Sequence, residues 1–184
     1  MTKLHAFALI ATAVLLTGCG ERDGETPTDT AAAGTTAQVT DANIVALLSN
    51  THDAEINLAT TARASAASEA VKEYAARMIE EHGAMKRELD SLAAAKGITP
   101  EMPVGMEPVQ ATIAGRADTL LNTTGRSTDI AYIDGEAKGH GATLEAVIGY
   151  QAAASDGDLR EFLAKMIPML RLHQDRAIDI LRGL

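Results

Sequence analysis

The chain has 184 residues, enough for one domain of ordinary size once its ends are discounted. Its 16 Lys+Arg against 25 Asp+Glu give a formal charge of −9, and only 3% of its residues are aromatic. Such a surface repels phosphate backbones and offers few stacking side chains, which excludes nucleic acid as a partner.

Lys3 precedes an apolar run from Ala6 to Leu16, too short to span a membrane and of the length of a secretory signal core. Leu16-Thr17-Gly18-Cys19 follows and contains the single cysteine, so no internal disulfide can form. The tetrapeptide resembles the lipobox of bacterial lipoproteins. That resemblance implies that residues 1–18 are a signal peptide, that Cys19 is lipidated, and that the membrane is a partner through its acyl chains. By the same resemblance Gly20 after the cysteine points to the outer membrane, facing the periplasm. Residues 19–40 mix threonine, alanine, glycine and acids with no large apolar residue except Val39, a composition that cannot bury enough surface to order itself. They are expected to be a tether, with a helical domain over 41–184.

Thr40 or Asp41 can cap a first helix running to about Ala66, with Ile44, Leu47, Leu48, Leu58 and Ala62 on one face. Glu55 shares that face and His52 stands near its edge. The second helix, Ser68 to Lys96, carries Val71, Tyr74, Met78, Met85, Leu89 and Leu92 at spacings of three and four, with His82 among them. Gly97 supplies a left-handed cap. Pro100, Pro103 and Pro108 make a connection that cannot be regular helix, followed by a short helix from about Val109 to Leu121 with Ile113, Ala117 and Leu120 inward.

Ser127 or Thr128 can cap the next helix, to about Ala154, with Ile130, Ile133, Ala137, Leu144, Val147 and Ile148 inward and His140 on the same stripe. Gly139 and Gly141 flank His140, and each costs about 1 kcal/mol relative to alanine. Either the helix breaks there or something packs very close to its backbone. Asp158 and its neighbours start the last helix, to about Arg182, with Leu159, Phe162, Met166, Leu170, Ala177 and Leu181 inward, His173 on the stripe, and Pro168 within it.

Val71 to Ile79 repeats in character as Leu159 to Ile167, which suggests two helical hairpins. Glu55 is 16 residues before Val71 and His82 is 11 after it; His140 is 19 before Leu159 and His173 is 14 after. Both arms of the second hairpin are longer by the same amount, so the members of each pair stay level. The expected fold is all-α, an antiparallel four-helix bundle with a short extra helix in the long connection between helices 2 and 3.

Such a bundle converges Glu55, His82, His140 and His173 in one interior layer. A buried carboxylate is costly unless paired, and three imidazoles around it are what a divalent transition metal, Zn, Cu, Ni or Fe, would use to offset that cost. His52, Glu136 and Glu145 are candidates to support or replace these ligands, and Glu136, one turn before His140, could orient it. Met78 and Met169, four residues before His82 and His173, offer soft ligands or core filler. The alternative is a buried Glu-His hydrogen-bond network that fixes the packing of a structural or partner-binding module. No nucleophile elbow, phosphate loop or HExxH occurs, and the residues three before the histidines are Ile79, Ala137 and Leu170, so the Glu-x-x-His pairs of a di-iron oxidase are missing.

From Asp41 onward the chain resembles the bacterial family catalogued as domain of unknown function 4142. The matching features are Glu55-Ile56, the Val71 to Ile79 run with Glu81-His82 and Leu89, Gly97 before its proline-rich connection, Asp129 to Tyr132, His140, and Leu159 to His173 with Pro168 and Leu170. Gly139-His140 and Leu144 depart from the Asp-His and aromatic usual there. The resemblance implies a ferritin-like helical fold and an envelope location, and no particular activity.

Overall fold

The computed structural model describes residues 39–184; the signal peptide 1–18, the lipidated Cys19 and nearly all of the tether expected from the sequence lie outside the described residues. Five helices follow one another: α1 (Asp41–Ser65), α2 (Glu69–Lys96), α3 (Glu107–Leu121), α4 (Arg126–Ala153) and α5 (Gly157–Gly183), with no strand among the described residues. None of these helices is long and apolar enough to cross a membrane.

Local chemistry sets most of the boundaries. The Thr40 hydroxyl accepts from the Asn43 N–H at 3.2 Å while Asn43 Oδ1 accepts from the Thr40 N–H at 3.1 Å, a reciprocal cap that starts α1. Gly97, with φ at 65°, ends α2 in the left-handed conformation that a side chain would strain. Asp156 starts α5 by accepting from the N–H groups of Asp158 and Leu159. The start of α4 differs from expectation. Its cap is Gly125, not Ser127 or Thr128, and the Thr128 hydroxyl is buried against that of Thr123.

α1 packs along α2 and α4 along α5; the two pairs meet through α1 with α4 and α2 with α5, and α3 lies across α1 and α4. Two aspartates tie the pairs together reciprocally. Asp41, in the first turn of α1, accepts from the N–H groups of Ser155 and Asp156 in the turn between α4 and α5 at 2.8 and 2.9 Å. Asp129, in the first turn of α4, accepts from Ala67 and Ser68 in the turn between α1 and α2 at 3.0 and 3.1 Å. Each pair thus caps the turn of the other, the tertiary counterpart of the sequence repeat.

The core falls into two apolar clusters. One contains Ile44, Leu48, Leu89, Val147, Phe162 and Met166; the other Leu58, Tyr74, Met78, Tyr132, Ile133 and Ala177. Along each long helix a buried ionisable group separates them: His52 and Glu55 on α1, His82 on α2, Glu136 and His140 on α4, His173 on α5. The expected stripe of α4 needs correction, because Ile130 and Ile148 are 43% and 45% exposed. α4 turns inward its polar residues Asp129, Glu136 and His140 along with Ile133 and Val147. Ile130 and Ile148 are each one residue, about 100° of rotation, from a buried residue, Asp129 and Val147, so a face drawn from apolar residues alone is tilted off the true one.

Candidate metal centre

Three imidazoles from three helices converge. His82 of α2, His140 of α4 and His173 of α5 are each no more than 2% exposed, and one ring nitrogen of each lies within 4.8 Å of the other two. His140 Nε2 is 3.4 Å from His82 Nε2 and 3.2 Å from His173 Nδ1. In a tetrahedron with zinc–nitrogen bonds of about 2.0–2.1 Å, the nitrogens stand about 3.3–3.4 Å apart. The two distances from His140 match the spacing of metal ligands.

The far nitrogens decide where the protons sit. His140 Nδ1 lies 3.1 Å from the Glu136 carbonyl, which can only accept, so Nδ1 carries the proton and Nε2 presents a lone pair. His173 Nε2 lies 2.5 Å from Glu81 Oε2, again an acceptor, which leaves Nδ1 of a neutral ring bare. His82 Nδ1 faces His52 Nδ1 at 3.0 Å, and with the proton on His82 its Nε2 is bare as well. Three lone pairs then point at one place. Obligate acceptors fix the tautomers of His140 and His173, the usual supporting arrangement of a metal-bound histidine, whereas the contact between His52 and His82 accommodates the proton on either ring.

Burial favours the neutral form of His52, His82 and His140. It pushes His52 down to about 4, with Lys86 adding to the effect, and holds His82 well below the ordinary histidine value, with the neighbouring histidines contributing. His140 is also lowered by burial, an effect that Glu55 opposes.

Glu55 is not among the converging nitrogens. It belongs to an adjoining group with Glu136 and His140, and the reason is a cation that the sequence analysis did not single out. Arg116 of α3 reaches inward to donate to Glu55 Oε1 at 3.3 Å and to Glu136 Oε1 at 2.5 Å. Glu136 is fully buried, and burial together with the Glu55 carboxylate holds its carboxyl well above the usual range. Glu136 orients His140 through its backbone carbonyl, and its Oε2 is 3.6 Å from His140 Nδ1.

The glycines around His140 are explained by close approach, on a helix that continues unbroken. The Arg116 side chain lies 3.0 Å from where a Cβ would stand on Gly135 and 3.1 Å from that of Gly139; Gln174 Nε2 lies 2.5 Å from that of Gly141. Arg116 shares the inner face of α3 with Ile113, Ala117 and Leu120, spacing that could have revealed it. Glu81 left only a weaker signal, as the acid before His82.

The other candidates are placed as follows. His52 is fully buried behind His82 rather than at an edge. Glu145 is exposed on α4. Met78 is packed in one apolar cluster and Met169 lies partly buried against the other.

No curated protein and no solved structure matches the chain. A family model does match, that of Domain of unknown function (DUF4142), over residues 25–180. That span exceeds half the chain and takes in His52, His82, His140, His173, Glu81 and Arg116, and the protein belongs to this family.

Proposed function

We propose that this protein is an envelope lipoprotein whose helical domain holds one transition-metal ion at His82, His140 and His173, for storage, buffering or sensing rather than catalysis. The observation that carries this reading is the facing of His140 Nε2 and His173 Nδ1 at 3.2 Å, each with its far nitrogen committed to an acceptor. Two bare lone pairs repel unless a cation lies between them, and a third nitrogen from His82 completes a ligand set suited to Zn(II), Cu, Ni(II) or Fe(II). Glu81, Glu55 and Glu136 supply negative charge nearby to offset that of the ion.

The same reading takes the fold as a ferritin-like, antiparallel four-helix bundle in which the connection with α3 runs the length of the molecule. The crossed ties from Asp41 to the α4–α5 turn and from Asp129 to the α1–α2 turn support this, since they oppose the directions of α1 and α4. The Leu16-Thr17-Gly18-Cys19 segment supports lipid anchoring. Cys19→Ser is expected to move the protein from the membrane to the soluble fraction of the envelope; an unchanged membrane fraction would sink the anchor.

One contact favours a second reading. Glu81 and His173 are close enough for a protonated His173 to donate to both Glu81 and His140, which closes the junction with a proton and makes the layer a hydrogen-bond network. Elemental analysis of the untagged chain, beside a His82→Ala/His173→Ala double variant, separates the two. One equivalent of metal in the parent and none in the variant is expected. An ion-free parent whose melting temperature is unmoved by added Zn(II), Cu(II), Ni(II) or Fe(II) leaves the network.

A further inference from the structure

His52 is not one of the three converging imidazoles, yet it is fully buried and stands directly behind one of them, its Nδ1 3.0 Å from His82 Nδ1. Burial favours neutral rings at both. A neutral pair carries two protons on four nitrogens, one to each ring. At 3.0 Å the facing nitrogens can hold only one proton between them, because two would clash and none would set two lone pairs against each other. That condition links the far ends of the pair. With the shared proton on His52, the proton of His82 must be on Nε2, inside the centre. With the shared proton on His82, the proton of His52 must be on its own Nε2, at the opposite end.

The surroundings tell these two arrangements apart. His82 Nε2 is 3.4 Å from His140 Nε2, which is bare because His140 Nδ1 donates to the Glu136 carbonyl. A proton on His82 Nε2 therefore makes a hydrogen bond inside the centre, where two lone pairs would otherwise meet. At the opposite end, His52 Nε2 has no hydrogen-bond partner in the protein. A proton there is a buried donor without an acceptor, a group that folded proteins seldom tolerate. Without an ion, both ends favour the proton on His82 Nε2. With an ion, His82 Nε2 must give its lone pair to the metal, and only the reverse arrangement allows that.

We propose, resting on the reading of the centre as a metal site, that His52 is a positioning residue whose tautomer reverses with that of His82 when the ion binds. The metal-free pair is protonated at His52 Nδ1 and His82 Nε2, and the metal-bound pair at His82 Nδ1 and His52 Nε2. The protons balance. One leaves His82 Nε2, the shared one crosses from His52 Nδ1 to His82 Nδ1, and His52 takes one up at Nε2, so each ring ends neutral. The ion is thus admitted without ionising a ring. The metal-bound state carries the unpartnered His52 N–H, which holds the ion less firmly than a fixed acceptor behind His82 would and suits a site that returns its ion.

The test is long-range proton–nitrogen NMR of the histidine side chains of the untagged chain, in chelator and after addition of one equivalent of Zn(II), with uptake measured by elemental analysis of the same samples. Resonances are assigned through the backbone, which needs no variant. In chelator, His52 is expected to be protonated at Nδ1 and His82 at Nε2. With Zn(II), the protonated and bare nitrogens change places in both rings, although His52 does not touch the ion. His140 and His173 keep their protons at Nδ1 and Nε2 in both states and serve as the reference. The proposal is overturned by a His82 already protonated at Nδ1 in chelator, by a His173 protonated on both nitrogens there, or by a His52 whose tautomer is unmoved when Zn(II) is bound. Failure of Zn(II) to bind overturns the metal reading and the reversal with it, whereas uptake with unmoved tautomers overturns the reversal alone.

Discussion

At the scale of the residue, the histidine layer costs stability, and the cation proposed to sit there would offset that cost. Burial favours neutral rings at His52, His82 and His140, and that neutrality has a sign. The folded-state value of His52 is about 4 against an ordinary 6.5, and His82 and His140 are lowered too. As pH falls, the unfolded chain binds protons at these histidines first, so their contribution to the stability of the metal-free protein is complete above about pH 6.5 and is lost progressively toward pH 4, while the raised carboxyl of Glu136 contributes in the opposite sense. Between about pH 6.5 and 5 the His52 contribution alone is roughly 2 kcal/mol, at about 1.4 kcal/mol per unit. Denaturant melts of the chelated protein should therefore lose more between these two pH values than melts of a chelated His52→Ala variant, by about that amount. An equal change in both proteins would mean that His52 is protonated in the fold. The tautomers of His140 and His173 follow from the Glu136 carbonyl one turn back and from Glu81 on α2, so a histidine's usefulness here is decided by what lies behind it.

At the scale of the element, α3 is the least anchored of the five helices. It buries Leu120 and otherwise holds on through Arg116, whose guanidinium spans Glu55 on α1 and Glu136 on α4. Arg116→Met keeps the apolar stem and removes both ion pairs. The two carboxylates then lose their counter-charge, at a cost of about 3 kcal/mol at most where one can protonate instead. The expected result is faster proteolytic cleavage within residues 102–121 under native conditions, with α1, α2, α4 and α5 remaining protected. Unchanged cleavage would show that α3 is held by packing rather than by Arg116. The same arginine accounts for Gly135 and Gly139, which leave room for its side chain on the surface of α4.

At the scale of the molecule, the two helix pairs are fastened at opposite ends. Asp41 and Asp129 each accept from backbone N–H groups of the other pair's turn, and a helix of the length of α1 separates these ties by about 37 Å. Asp41→Ala and Asp129→Ala should each lower stability by about 1–2 kcal/mol, as lost caps do, and the double variant should lose close to the sum because the sites share no partner. Urea melts measure both. A double variant far less stable than the sum would mean that the two ends communicate through the bundle.

The sequence by itself determined the helices and the layer. The apolar period of α2 and α5, the glycine and proline punctuation, and the matched arms of the repeat put His82, His140 and His173 at one level, and the structure brings them together. What it could not determine depended on rotation about a helix axis and on side chains reaching across space. α4 buries polar residues, so its inward face was drawn one residue off at Ile130 and Ile148. Glu55 was legible as a buried carboxylate but not as the partner of Glu136, because the cation that joins them comes from α3, 61 residues away along the chain. Periodicity reports which residues leave water; only the tertiary structure decides which of them meet, because meeting depends on the register between helices that are far apart in sequence.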